Sequence, residues 1–127
     1  MRKIETKMIQ AIKTKNCFTL DNTRVEYVES ENISEVFLHG NLIAYYKHQD
    51  DSMYISSCGW QGVVTKSRLN ALLESFFYGV RVFQKNFQWF ISDRRESTNI
   101  STKKWFYDGM IVYKNGLSSM DTHPLVA

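Results

Sequence analysis

The stretch from Arg24 to Ser57 constrains the fold more than any other: RVEYVE, ISEVFLH, NLIAYYKH and SMYISS follow one another with only SEN, the Gly40–Asn41 step and QDD between them. Short runs rich in β-branched and aromatic residues read as strands, and separators this brief leave room for little but hairpins. Four strands in an antiparallel meander are the economical topology. The clearest turn is His39-Gly40-Asn41, because Gly and Asn tolerate positive φ.

Helical patterns flank this block. Ile4, Met8, Ala11 and Ile12 recur at helical spacing while Lys3, Lys7 and Lys13 largely fall elsewhere, which predicts an amphipathic helix packed on the sheet. KTKNC and LDNT then break the chain. Beyond the meander, Leu69, Leu72, Leu73, Phe76 and Phe77 share one face of a second helix over 66–78, with Thr65 as its N-cap and Gly79 placed to end it in a left-handed conformation. VRVFQKNFQWFI reads as a hairpin turning near Lys85-Asn86, with Phe87, Trp89 and Ile91 on one side of its second strand. The polar run SDRRESTNISTKK is long for a connection in a compact domain. WFYDGMIVYKNG offers a last strand pair around Asp108-Gly109, or one bulged strand, and residues 115–127 are expected to form a flexible tail.

The whole reads as a single α+β domain over residues 1–127: an antiparallel β-sheet of about six strands with two helices packed on one face. A length of 127 residues and an apolar fraction of 43% suffice for a core without disulfides or metals. Cys17 and Cys58 accompany no C-x-x-C motif and are expected as reduced thiols. The start lacks a secretory h-region and no apolar run approaches about 18 residues, so no membrane association is expected.

Catalytic motifs are absent from the pattern. His39, His48 and His123 are too scattered for a zinc pair, Asp50-Asp51 reads as a solvated turn, and no nucleophile elbow, phosphate loop or dinucleotide fingerprint occurs. No catalytic residue, metal or cofactor is assigned, and the chain is expected not to be an enzyme.

Charge is more informative. The net charge of +3 is the sum of +4 over residues 1–20, −5 over 21–60 and +4 over 61–127. Such asymmetry either focuses potential on one face and attracts a polyanion, or mixes into an ordinary solvated surface. The start of the second helix sharpens the question, because Lys66 and Arg68 lie where the helix dipole is already positive. One reading places an anion on the free first-turn amides, with Lys66 and Arg68 adding charge. The other is that the misplacement, costing only about 0.3–1 kcal/mol when exposed, is tolerated. The preceding GWQG supplies backbone that can approach a ligand, and Trp60 either stacks on one or plugs the core. Arg81 and Lys85, Arg94 and Arg95, and Lys103 and Lys104 are interleaved with Trp89, Phe90 and Trp105, which is the composition of a phosphate-tracking groove with stacking platforms. Core aromatics beside ordinary basic loops are the plain alternative.

At LHGNLIAYY and GWQGVVTKSRLNALLESF the chain resembles a group of small accessory proteins encoded by tailed phages, marine cyanophages among them. The resemblance rests on Leu38, His39, Gly40, Asn41, Ile43 and Ala44, then Gly59, Trp60, Thr65, Lys66, Arg68, Leu69 and Asn70. It covers most of Ile4 to Ile91 and weakens after Asp93; QGVV departs from the threonine-rich approach to the helix that the resemblance implies. It implies a phage accessory protein acting in an infected bacterium, and no catalytic mechanism. The expected function is therefore non-enzymatic binding of DNA or RNA, mainly through phosphates and with little sequence specificity, in the cytoplasm of the infected host. Lys66, Arg68, Arg94, Arg95, Lys103 and Lys104 are the expected contacts, gathered around the amino end of the second helix, with Trp60 as a stacker. The alternative is a protein-binding inhibitor or modulator of a host enzyme, such as RNA polymerase or a defence factor, with exposed aromatics and Arg as its hot spots.

Overall fold

The computed structural model describes residues 1–95 and 102–118. Helix α1 (Lys3–Lys13) leads into strands β1 (Phe18–Leu20), β2 (Thr23–Val28), β3 (Ile33–Leu38), β4 (Asn41–Lys47) and β5 (Ser52–Ile55). Helix α2 (Val63–Phe76) follows, then β6 (Val80–Lys85), β7 (Gln88–Asp93), β8 (Thr102–Trp105), β9 (Met110–Tyr113) and β10 (Gly116–Leu117). The fold class is α+β, and β2 to β5 form the expected meander. His39 (φ 51°) and Gly40 (φ 79°) make the β3–β4 turn.

The single sheet of about six strands is corrected to two. Seven strands pair in the order β1-β2-β3-β4-β5-β9-β10, and β6-β7-β8 form a separate antiparallel sheet. The expected pairing across Asp108-Gly109 fails for a physical reason: that step is a corner between sheets. Phe106 stays with the small sheet, its amide donating to Trp89 O at 3.1 Å and its ring buried 5.3 Å from the Trp89 ring. The Asp108 carboxylate then accepts from the Ser57 amide and hydroxyl (2.7 and 2.9 Å), and the Gly109 amide donates to Ile55 O (2.9 Å). These bonds seat β9 beside β5 rather than beside β8. At the end of the chain, Gly116 and Leu117 pair with β9, so the expected tail is ordered at its start; residues 119–127 lie outside the described residues.

One hydrophobic core joins all layers. Strand alternation points Val25, Val36, Ala44, Met53, Ile55 and Val112 to one face of the large sheet, where they meet Met8 and Ile12 of α1 and Leu69, Leu72 and Leu73 of α2. A bulge between Val36 and Phe37 leaves Ile43 as the extra residue of β4, so Ile43 and Ala44 are both buried. The small sheet adds Val80, Val82, Trp89 and Ile91. Full burial of one such aliphatic side chain contributes about 1.5–3 kcal/mol. Among the described residues no helix is long and apolar enough to cross a membrane.

Helix α2 begins three residues before the expected Lys66. Gly62, in extended backbone, is its N-cap and offers no side chain, while Thr65 sits inside the first turn and is buried. The cause is the turn before it. The Ser57 hydroxyl accepts from the Gly59 amide, Ser57 O from Trp60 and Trp60 O from Gly62, which delivers the chain to Gly62 already turned for helix. The helix ends at Phe76, and Gly79 takes φ 105° three residues later.

Candidate nucleic-acid interface

The hairpin β6–β7 and strand β8 sort their residues by parity. Val80, Val82, Trp89 and Ile91 face the core. The opposite face therefore carries Arg81, Phe83 and Lys85 on β6, Gln88, Phe90 and Ser92 on β7, and Lys103 and Trp105 on β8. The registers align these residues in rows: Phe83, Phe90 and Trp105 are direct cross-strand neighbours, and so are Arg81, Ser92 and Lys103. The rings of Phe83 and Phe90 stack at 5.6 Å, and Phe90 meets Trp105 at 5.1 Å. Trp105 is 54% exposed. An aromatic row thus lies beside a cationic one on a single outward face.

Helix α2 holds this sheet in place without covering the face. The Asn70 side chain bonds both backbone groups of Val82, donating to its carbonyl (2.9 Å) and accepting from its amide (2.8 Å), which closes the free edge of β6. Between α2 and the face runs a groove of about 790 Å³. Among the described residues Arg81, Arg94 and Lys103 line it, together with the Glu74 carboxylate and the exposed ring of Tyr78.

The residues expected from sequence divide sharply. Arg94 and Lys103 are exposed and share the groove. Arg68 is the main correction: it is 3% exposed, and its guanidinium donates to Glu5 Oε2 (2.8 Å), Thr23 Oγ1 (3.0 Å) and Asn22 Oδ1 (3.2 Å). A group so enclosed offers no phosphate contact. Arg95 is also engaged internally. It forks onto Asp93 (2.9 and 2.8 Å), bonds the Tyr113 and Lys114 carbonyls, and so ties the end of β7 to the end of β9. The hydrogen bond from Arg95 holds the Asp93 carboxyl below its ordinary range against the opposing effect of burial, with Lys104 adding a smaller pull. Lys104 is half-buried on the inward row beside Ile91. Lys66 lies with Nζ 3.4 Å from Gln84 Oε1 and 6.0 Å from the Trp89 ring. Trp60 is 70% exposed rather than a core plug, but it lines a different cavity. The expected gathering of cations at the amino end of α2 is therefore not found; Arg81, Arg94 and Lys103 collect beside its carboxyl half.

In the sequence Arg81 is one of the interleaved basic residues of a phosphate-tracking groove, though not one of the expected contacts, and Phe83 is not singled out. The signal was the alternation with Val80 and Val82, which puts both on the outward face. Elsewhere, polar clusters serve the fold. Asp50 accepts from the Ser52 amide and hydroxyl (3.2 and 2.6 Å), and Asp51 pairs with Lys114 at 2.9 Å while accepting from the Tyr46 hydroxyl. His48 Nε2 meets Ser34 Oγ at 2.8 Å, and burial, with Lys15 nearby, depresses its pKa. Among the described residues no group of three His, Cys, Asp or Glu could hold a metal ion.

Comparison with known proteins agrees with the phage resemblance. The family model described as Kyanoviridae Gp96 protein matches residues 1–113. No curated protein and no solved structure gives a match. The chain belongs to the Kyanoviridae Gp96 protein family, a family of cyanophage proteins.

Proposed function

We propose that this phage protein binds single-stranded nucleic acid non-enzymatically and with little sequence preference, in the cytoplasm of the infected bacterium. Bases stack on the Phe83–Phe90–Trp105 row while phosphates track Arg81, Lys103 and Arg94. The observation that carries the reading is the adjacency of those two rows on one outward face. Base–aromatic stacking contributes about 1–3 kcal/mol per base and accepts any base, because every base has a π-face. A duplex hides its bases, so the aromatic row favours a single strand. Electrostatics supports the same side of the molecule. The outer face of the large sheet sets Glu26 opposite Glu35 beside the stacked pair Tyr45–Tyr54 (4.8 Å), and would repel the strand that the small sheet attracts.

Fluorescence anisotropy with labelled single- and double-stranded oligonucleotides at several salt concentrations tests the reading. A preference for the single strand is expected, with log K falling against log salt at a slope of about −2, from roughly −0.7 for each of the three cations. Binding that ignores salt, or favours duplex, overturns it. Capture of a host protein that survives nuclease treatment would replace it with the enzyme-modulator alternative.

A further inference from the structure

A second cavity, of about 670 Å³, lies at the amino end of α2, walled by the His39–Asn41 turn on one side and the Gly59–Gly62 turn on the other. The two sequence stretches that carry the phage resemblance, some twenty residues apart in the chain, meet here in space. Its size is within the range of small-molecule sites, roughly 300–1,000 Å³.

Two independent features of this cavity ask for a ligand. The first is the helix terminus. Gly62 provides no side-chain cap, the first turn holds no acidic residue, and the amides of Val63, Val64 and Thr65 have no partner among the described residues. The second is the Thr65 hydroxyl. Eight polar or charged residues are buried among the described residues, and seven of them, including Glu5, Ser34 and Arg68, are hydrogen-bonded through their side chains. Thr65, at 5% exposure, is the one whose side chain has no bond. Every fully enclosed side-chain nitrogen or oxygen among the described residues has a partner, so the unpaired Thr65 oxygen still touches solvent, in the cavity that Thr65 lines. With no partner in the fold, this hydroxyl is free to donate to an acceptor bound in the cavity.

The remaining wall selects the ligand. Among the described residues no Asp, Glu, Lys or Arg lines the cavity. A helix terminus presents about half a positive charge, which matches a single carboxylate better than a phosphate carrying about −1.5 to −2. A carboxylate's two oxygens can accept from the three amides and the hydroxyl together. Exposed Trp60 and Val63 stand beside Leu38, Ile43 and Val64, an apolar setting for a hydrophobic body. We infer that this cavity binds a carboxylate carried on an apolar or aromatic body, with the charged end on the α2 amino terminus and Thr65 and the body against Trp60. Such a group can come from a free small acid or from the last residue of a peptide.

The site shares no residue with the small-sheet face, and its test uses no nucleic acid, so each reading can fail alone. Titrating 3-phenylpropionate into ¹⁵N-labelled protein should shift the amides of Val63, Val64 and Thr65 and the Trp60 indole in a saturable way. The neutral 3-phenylpropionamide should bind at least tenfold more weakly. Thr65→Val should weaken the acid several-fold without lowering the melting temperature, because the hydroxyl has no partner in the fold. Trp60→Ala, at an exposed position, should weaken acid and amide alike. A tetrapeptide ending in Phe with a free carboxylate separates the sources: tighter binding than the small acid points to a chain terminus, equal or weaker binding to a small molecule. Equal affinities for acid and amide, absent shifts at Val63–Thr65, or unchanged binding by Thr65→Val would overturn the assignment.

Discussion

Arg68 lies on α2 and Arg81 on the neighbouring strand β6, and their fates are opposite. Arg68 turns inward and joins three elements through Glu5 of α1, Thr23 of β2 and Asn22 just before it, while Ser67 and the Arg2 amide complete the bonding of Glu5 (2.6 and 3.1 Å). Arg81 turns outward, is exposed, and lines a groove with two further cations. The same side-chain chemistry serves architecture in one region and is left facing solvent in the other. Position relative to the core decides which.

The sharpest way to break this comparison is to truncate the inward arginine. Arg68→Ala strands a buried Glu5 carboxylate and should cost about 3–5 kcal/mol in urea unfolding. Replacing both partners with apolar residues, Glu5→Leu with Arg68→Met, should come close to wild type, since a well-packed apolar pair avoids the desolvation penalty. A loss below about 1 kcal/mol for Arg68→Ala would mean the pair is solvated.

Acid titrates the same pair more gently. Burial opposes ionisation of Glu5, yet the hydrogen bonds from Ser67, Arg2 and Arg68 outweigh it and hold its pKa below the ordinary value. Between that folded value and the unfolded value near 4.3, the unfolded chain binds the extra proton. Stability from this group is therefore complete above about pH 4.3 and is lost as pH falls through the folded value. Asp51 and Asp93 are depressed as well, so the measurement is a difference: the Glu5→Leu, Arg68→Met protein should lose less stability than wild type over the same acid range. Equal losses would remove Glu5 from the account.

These outcomes also explain what the sequence could disclose. Alternation made β2 to β5 legible, and helical spacing made both helices legible, because each is a local pattern with one buried face. The split into two sheets was not, since it depends on Asp108 finding Ser57 across the fold. The start of α2 was not legible because Thr65 has the side chain of a cap, whereas the cap is Gly62, set by the turn from Ser57. Arg68 was legible in principle: it lies three residues after Thr65 and four before Leu72, on one helical face, and both neighbours are buried. The groove required knowing that β8 pairs with β7, which brings Lys103 across from Ser92 and Trp105 across from Phe90.

Turning to the outward region, Trp105→Ala should weaken single-strand binding by about 1–3 kcal/mol, roughly 5- to 150-fold, as measured by anisotropy. Its unfolding free energy should change much less than that of Arg68→Ala, because the ring is more than half exposed. A large stability loss with unchanged binding would invert the assignment of this face.

The smallest effect, and the most discriminating, concerns the tip of the β6–β7 hairpin. Asn86 (φ 53°) and Phe87 (φ 62°) form the two-residue turn, so Phe87 belongs to the turn rather than to the strand where alternation placed it. Glycine is the favoured residue at the second position of such a turn, and a bulky side chain held in left-handed backbone costs about 1–2 kcal/mol. Phe87 is also 92% exposed, so packing does not compensate for that strain. Phe87→Gly should therefore stabilise the fold by about 0.5–1 kcal/mol, the strain relieved exceeding the added entropy of the unfolded chain. If the ring extends the stacking face beyond Lys85 and Gln88, the same variant binds single strands more weakly while melting higher. Gain of stability with loss of affinity is a pairing that structural damage cannot produce, whereas a lower melting temperature would show that Phe87 is held by contacts within the fold.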